Sequence, residues 1–185
     1  MRPRTEHRLW RQDSERTAAE GEPSYVGRSF ESFYATQFSL VMTSVVPVIG
    51  SWAVAQEITQ EAFVEAYRRW DTVAAYERPD LWVRRAAMNR AISSIRRRAA
   101  ERRAFRRYGS DEPAVPSIDN VGYSHLLRHI SELPSRQSAA VSLVYLGDLD
   151  IDEAAEVMGC TQSTVRSHLE RARNQLQAIL REEHE

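Results

Sequence analysis

The chain has 185 residues, 42% of them hydrophobic, and a formal charge of −1 from 25 basic and 26 acidic side chains. That length allows one domain or two small ones, the apolar share excludes wholesale disorder, and no run reaches the ~20 apolar residues of a membrane span. The single cysteine, Cys160, excludes an internal disulfide and points to a reducing, cytoplasmic setting.

Residues 1–28 are polar, mixed in charge and contain Gly21 and Pro23. They lack the apolar stretch of a secretory signal and read as a flexible tail. From Ser29, Phe30, Phe33, Tyr34, Phe38, Val41, Met42 and Val45 recur at three- and four-residue steps. This predicts a helix that Pro47 and Gly50 interrupt near its end. A second helix is predicted from about Trp52 to Trp70, with Ile58, Ala62, Phe63, Ala66 and Tyr67 on one face. The loop Asp71–Asp80 follows. Pro79 suits the first turn of a third helix, where a missing N–H is harmless. That helix carries an apolar stripe of Leu81, Val83, Ala86, Ala87, Ile92 and Ile95, with arginines covering the rest. Residues 109–122, with two Gly and two Pro, are the clearest linker. Helical patterning resumes in "YSHLLRHISEL" and "SRQSAAVSLVYL". No strand or repeat is evident. The fold expected is all-α: two small helical domains joined by a flexible linker.

The near-zero net charge hides segregation. Every basic side chain is Arg, and ten of them fall between Arg84 and Arg107 against one acid, Glu101. Asp148, Asp150, Asp152, Glu153 and Glu156 form an opposing acidic cluster. Such a chain presents one basic and one acidic face to different partners, and the arginine run suits a nucleic acid.

In "DIDEAAEVMGCTQSTVRSHLERAR" local signals converge. Asp150 and Glu153 have the spacing of a capping box. Gly159 supplies a turn, Cys160 fills a small apolar slot as an inert thiol, and Thr161 caps the next helix. Val165 and Leu169 point inward. Gln162, Ser163, Thr164, Arg166, Ser167, Glu170 and Arg171 are left outward. Two helices around a short turn, the second presenting Gln and Arg, form a major-groove docking device.

"ELPSRQSAAVSLVYLGDLDIDEAAEVMGCTQSTVRSHLERARNQL" resembles region 4 of the extracytoplasmic function (ECF) group of sigma-70-type RNA polymerase sigma factors. "FESFYATQF", "EITQEAFVEAYRRW" and "RPDLWVRRAAMNRAISSIRRR" resemble region 2 of the same group. The resemblance divides the chain into region 2 at 29–108, a linker at 109–122 and region 4 at 123–182. It implies that region 2 binds the polymerase β′ clamp helices through Glu57, Gln60, Glu61 and Phe63, and the −10 element through Tyr76, Arg78, Trp82, Arg85, Asn89 and Arg90. It implies that region 4 binds the β flap tip, and the −35 element through Gln162, Ser163, Thr164, Arg166, Ser167 and Arg171. An anti-sigma factor is an implied partner, and the location implied is cytoplasmic, nucleoid-associated in the holoenzyme. No catalytic residue, cofactor or metal is implied, so the chain is not expected to be an enzyme. The chain departs from the family in "SWAVAQE", which lacks most of an acidic cluster, in Pro47 within the first long helix, and in His168 where Arg is more frequent.

Two other functions compete. A free-standing helix-turn-helix regulator binding DNA as a dimer leaves the region 2 resemblance unexplained. A helical adaptor that binds only protein leaves the arginine run unexplained. His125 and His129, four apart, lack a third metal ligand and read as ordinary histidines. Trp70 reads as core, and Trp82 as either core or base-stacking.

Overall fold

The computed structural model describes residues 29–107 and 125–182; the expected tail at 1–28 and linker at 109–122 lie outside them. The described residues form helices and no strand. In chain order these are α1 (Phe30–Ile49), α2 (Trp52–Arg68), the single turn α3 (Trp70–Val73), α4 (Pro79–Arg107), α5 (His125–Glu132), α6 (Ser135–Val141), α7 (Ile151–Met158) and α8 (Gln162–Glu182). A π-helical turn, Ser142–Leu146, continues α6.

Ser29 caps α1 by accepting the Ser32 N–H at 3.3 Å, and Gly50, at φ 72°, ends it. Pro47 does not interrupt the helix. It stands in the last turn, where its missing N–H removes a single bond before Gly50 terminates the helix anyway. By length and composition α1 could cross a bilayer, with a window of mean hydropathy 1.3, contrary to the sequence expectation. Its Phe33, Val41, Val45, Val46, Val48 and Ile49 are instead buried in the protein core, the role of a core helix.

Helices α1, α2 and α4 pack on one another around an aromatic cluster. Phe63 lies at its centre, with ring centroids 5.8 Å from Phe33, 5.1 Å from Tyr34 and 5.6 Å from Phe38. Trp70 closes the end, 5.0 Å from Phe33 and 5.3 Å from Phe30. On α4, Leu81, Val83, Ala87, Met88, Ala91 and Ile92 face inward. At 1.5 Å per residue this 29-residue helix is ~43 Å long, and the core takes only its first half.

The second module is α5 to α8. Asp150 and Glu153 form the expected capping box: the Glu153 N–H donates to Asp150 Oδ1 at 2.8 Å, and the Asp150 N–H to Glu153 Oε2 at 3.0 Å. Gly159 takes φ 62° at the turn, a left-handed conformation that L side chains rarely adopt. Thr161 Oγ1 then accepts the Thr164 N–H at 3.3 Å and caps α8. Val165 is fully buried and Leu169 half-buried.

The two modules are not separate bodies. One continuous core includes Phe33, Val45 and Ala87 from the first and Ala139, Leu143, Ala154 and Val157 from the second. Ser138 Oγ on α6 donates to the Pro47 carbonyl at 3.3 Å. Arg84 is buried, against the expectation that arginines cover the outside of α4. It donates to the Gly147 carbonyl at 3.2 Å and to Ser44 Oγ at 3.4 Å. A Cβ on Gly147 would lie 2.8 Å from Ser44 Oγ and 2.9 Å from Arg84 Nη1, so only glycine permits this approach.

Candidate nucleic-acid interface

Helix α8 presents Gln162, Ser163, Arg166, Ser167 and Arg171 to solvent around its outer half. Arg166 Nη1 donates to Gln162 Oε1 at 3.3 Å, one turn back. Two side chains able to make bidentate base-edge contacts are thus held side by side. Thr164 is only half-exposed and belongs to the cap, its hydroxyl 2.9 Å from that of Thr161. His168 is also half-buried; burial first, then Arg136 and Arg171, hold its pKa below the ordinary histidine value. It therefore stays neutral where an arginine would carry charge. Cys160 is half-buried, and burial pushes its thiol pKa up against the opposing field of Arg136. That suits the expected inert thiol.

The residues expected at the −10 element do not form one free surface. Tyr76 and Trp82 are half-buried, with Trp82 packed against the core, and Asn89 is exposed. Arg78 is clamped between two carboxylates. Its Nε and Nη2 donate to Asp80 at 3.0 and 2.9 Å, and its Nη1 pairs with Glu153 of α7. Asp80 raises the Arg78 pKa, partial burial opposes this, and Glu153 adds to the rise, so the guanidinium stays charged. Arg85 donates to the Glu156 carbonyl of α7 at 3.0 Å. Arg90 pairs with Glu65 and approaches Glu61 at 3.6 Å, tying α4 to α2. Beyond Ile95, Arg96, Arg97 and Arg103 are exposed, and Arg97 approaches Glu101 at 3.8 Å.

Of the residues expected to meet the clamp helices, Glu57, Gln60 and Glu61 are exposed on α2. Phe63 is 1% exposed and is corrected to a core residue: it packs among four rings and reaches only the floor of the adjoining groove. Beside Gln60 lies a groove of about 640 Å³ lined by Phe30, Tyr34, Val64 and Tyr67, with Phe63 beneath it. Val64 is 48% and Tyr67 62% exposed, so Tyr67 is not the inward residue its spacing suggests. Sequence reasoning missed this groove. The signal was present in two apolar residues, Val64 and Tyr67, at helical spacing from Gln60 on an otherwise polar face. His129 is a core residue, its Nδ1 3.6 Å from Glu132, and no metal-binding cluster occurs among the described residues.

Residues 34–101 match the family described as Sigma-70 region 2, and residues 125–176 the family described as Sigma-70, region 4. The ECF RNA polymerase sigma-E factor of Escherichia coli K12 is 31% identical over 144 residues, covering 68% of this chain and 75% of that protein. The RNA polymerase sigma-E factor of Streptomyces avermitilis is 27% identical, covering 77% and 80%. The ECF sigma factor SigW of Bacillus subtilis is 25% identical, covering 73% and 80%. In fold, the chain is similar to the sigma factor RpoE of Bartonella quintana, solved in complex with the anti-sigma factor NepR. The TM-score is 0.66 at 19% identity, over 82% of this chain and 96% of that one. A helix-turn-helix that presents Gln and Arg, preceded by an α-helical module with an arginine-rich third helix, thus has its counterpart in both halves of one family: the chain belongs to the ECF group of sigma-70-type RNA polymerase sigma factors.

Proposed function

We propose that the chain docks on core RNA polymerase through α2 and reads a promoter at two places, the −35 element with α8 and the −10 element with the loop before α4 and its first turns. The observation that carries this is the face of α8. Gln162 and Arg166, one turn apart, are paired and solvent-exposed, with Arg171 exposed further along, on a helix whose start is fixed by Thr161 and whose back is buried through Val165 and Ala172. A helix of this width fits the major groove, and Gln and Arg match adenine and guanine edges. Base unstacking at the −10 element needs aromatic and cationic groups; the half-buried Tyr76 and Trp82 and the carboxylate-paired Arg78 lie close in sequence there. Gln60, Glu61 and the adjoining groove of Tyr34, Val64 and Tyr67 supply a polar rim around an apolar patch, the composition of a protein-docking surface. The β flap tip is assigned to the second module, and an anti-sigma factor is a further partner. Such a subunit works in the cytoplasm, performs no covalent chemistry itself and joins the nucleoid with the polymerase.

Run-off transcription with purified core polymerase tests this reading. Promoter-specific initiation should appear only when the chain is added. Footprints with paired half-sites and no polymerase requirement would instead make it a free-standing regulator.

A further inference from the structure

We propose that the groove between α1 and α2 is the seat of the chain's own N-terminal segment, with Leu9 and Trp10 entering it and Arg8 and Arg11 meeting its acidic rim. A consequence is that this segment competes with core polymerase for the groove, which rests on the docking assignment made under Proposed function. The groove holds about 640 Å³ between Phe30 and Tyr34 of α1 and Val64 and Tyr67 of α2, with Phe63 as its floor. That is the size and character of a site for a bulky apolar group. Tyr34, Val64 and Tyr67 are left exposed to solvent.

Charge points to the occupant. The lining contains one acid, Glu31, and no base. Hydrogen bonds from its own backbone N–H and then from Ser29 hold the Glu31 carboxyl below the usual carboxylate range, so it is ionised. Glu57, Gln60, Val64 and Tyr67 follow one another at three- and four-residue steps, so the exposed Glu57 carboxylate continues the rim along α2. Residues 1–12 carry Arg2, Arg4, Arg8 and Arg11 against a single acid, Glu6. Two of these arginines bracket the adjacent Leu9 and Trp10. Residues 13–28 hold more acids than bases, so the apolar Tyr25 and Val26 lack that complement. Surface ion pairs alone would hold weakly; burial of Leu9 and Trp10 and stacking of guanidinium on the aromatic walls supply the rest.

Placement agrees with charge. Phe30, a wall of the groove, directly follows Ser29, the cap of α1. Trp10 lies 19 positions before Ser29. A flexible segment of that length spans about 24 Å r.m.s., ample for a return to the first turns of α1. Such a tether gives an effective concentration on the order of millimolar. A contact too weak to join separate molecules is therefore formed within one chain. Core polymerase must displace it, and apparent affinity falls with the fraction of chains whose groove is covered.

The test uses the full chain labelled with 5-fluorotryptophan, in which Trp10→Ala identifies the Trp10 fluorine signal. A labelled peptide of residues 1–20 gives the position of that signal when free. In the full chain the signal should stand apart from the peptide's. Val64→Glu, at an exposed position, should return it there with helix content unchanged by circular dichroism, and so should Arg8→Glu with Arg11→Glu, which lie outside the described helices. Affinity for core polymerase should rise about three- to tenfold in Trp10→Ala. A wild-type signal that coincides with the peptide's and ignores these changes overturns the proposal and leaves the groove to a partner. A displaced signal that returns to the free position on dilution also overturns it, giving the groove to the segment of a second copy. A displaced, dilution-independent signal that both sets of changes release, with equal polymerase affinity for wild type and Trp10→Ala, upholds the seated segment and removes the groove from polymerase docking.

Discussion

Replacing Phe63 by Ala separates packing from partner contact on α2. Phe63 is 1% exposed and has four aromatic neighbours, Phe30, Phe33, Tyr34 and Phe38, with ring centroids 5.1 to 6.5 Å away. Truncation removes a fully buried ring and leaves a cavity whose walls are themselves large rings that cannot collapse fully. A loss of about 3–5 kcal/mol is expected, equivalent to a fall of roughly 6–20 °C in Tm for a chain of this size. Urea unfolding followed by circular dichroism measures it. The midpoint should drop with little change in slope, since native and unfolded surfaces are otherwise alike. Tyr67→Ala is the counterpart. Tyr67 is 62% exposed, and its ring centroid lies 5.0 Å from that of Phe30. Stability should change by at most about 1 kcal/mol, while co-purification of core polymerase should fall. The opposite pattern, with Phe63→Ala costing under about 1 kcal/mol and abolishing polymerase binding, would put the Phe63 ring in the interface and refute the packing account.

Arg166→Ala should weaken use of promoters with an intact −35 element by about 1–3 kcal/mol, read as run-off yield against template concentration; equal loss on templates lacking that element would make the contact a phosphate one. Glu61→Arg should reduce co-purification of core polymerase while leaving α8 contacts to duplex DNA unchanged in footprinting. Asp150→Ala removes the oxygen that accepts the Glu153 N–H at 2.8 Å and should cost about 0.5–2 kcal/mol in thermal unfolding. Cys160 has a pKa raised by burial, so less of it is thiolate at any given pH. Its alkylation should therefore lag behind that of a free thiol and gain on it only as pH rises above the ordinary thiol range.

The features legible in the sequence were those fixed within a few residues. The Asp150–Glu153 box, the Gly159 turn, the Thr161 cap and the inward Val165 are all local, and each stands where spacing places it. Phe63 and Tyr67 show the limit. They are four residues apart on one apolar stripe, and periodicity cannot tell which lies at its centre; the packing of α1 decides it. Arg84 is different, because a signal existed. It follows Leu81 by three positions and precedes Met88 by four, in the register of the buried face of α4. An arginine in that register needs an acceptor, and the acceptor, the Gly147 carbonyl, lies 63 residues away where no local pattern reaches. The contact between the modules was invisible for the same reason: the sequence marks an apolar face, not what covers it.

The net charge of −1 includes charges that this contact pairs. A protein that gripped DNA alone would gain from a strong positive balance, since phosphate neutralisation supplies most non-specific affinity. Here the arginines at the start of α4 meet α7, whose first turn carries Asp152 and Glu153 behind the Asp150 cap. Beyond a Debye length of ~8 Å the paired charges largely cancel. Moving α7 away would take the Glu153 carboxylate from Arg78, which keeps Asp80, and the Glu156 carbonyl from Arg85. Local potential at the start of α4 would thus change while net charge would not. A near-zero sum is thus compatible with a nucleic-acid partner, because the basic and acidic side chains are segregated along the chain and their local arrangement, not their total, sets the potential that DNA meets.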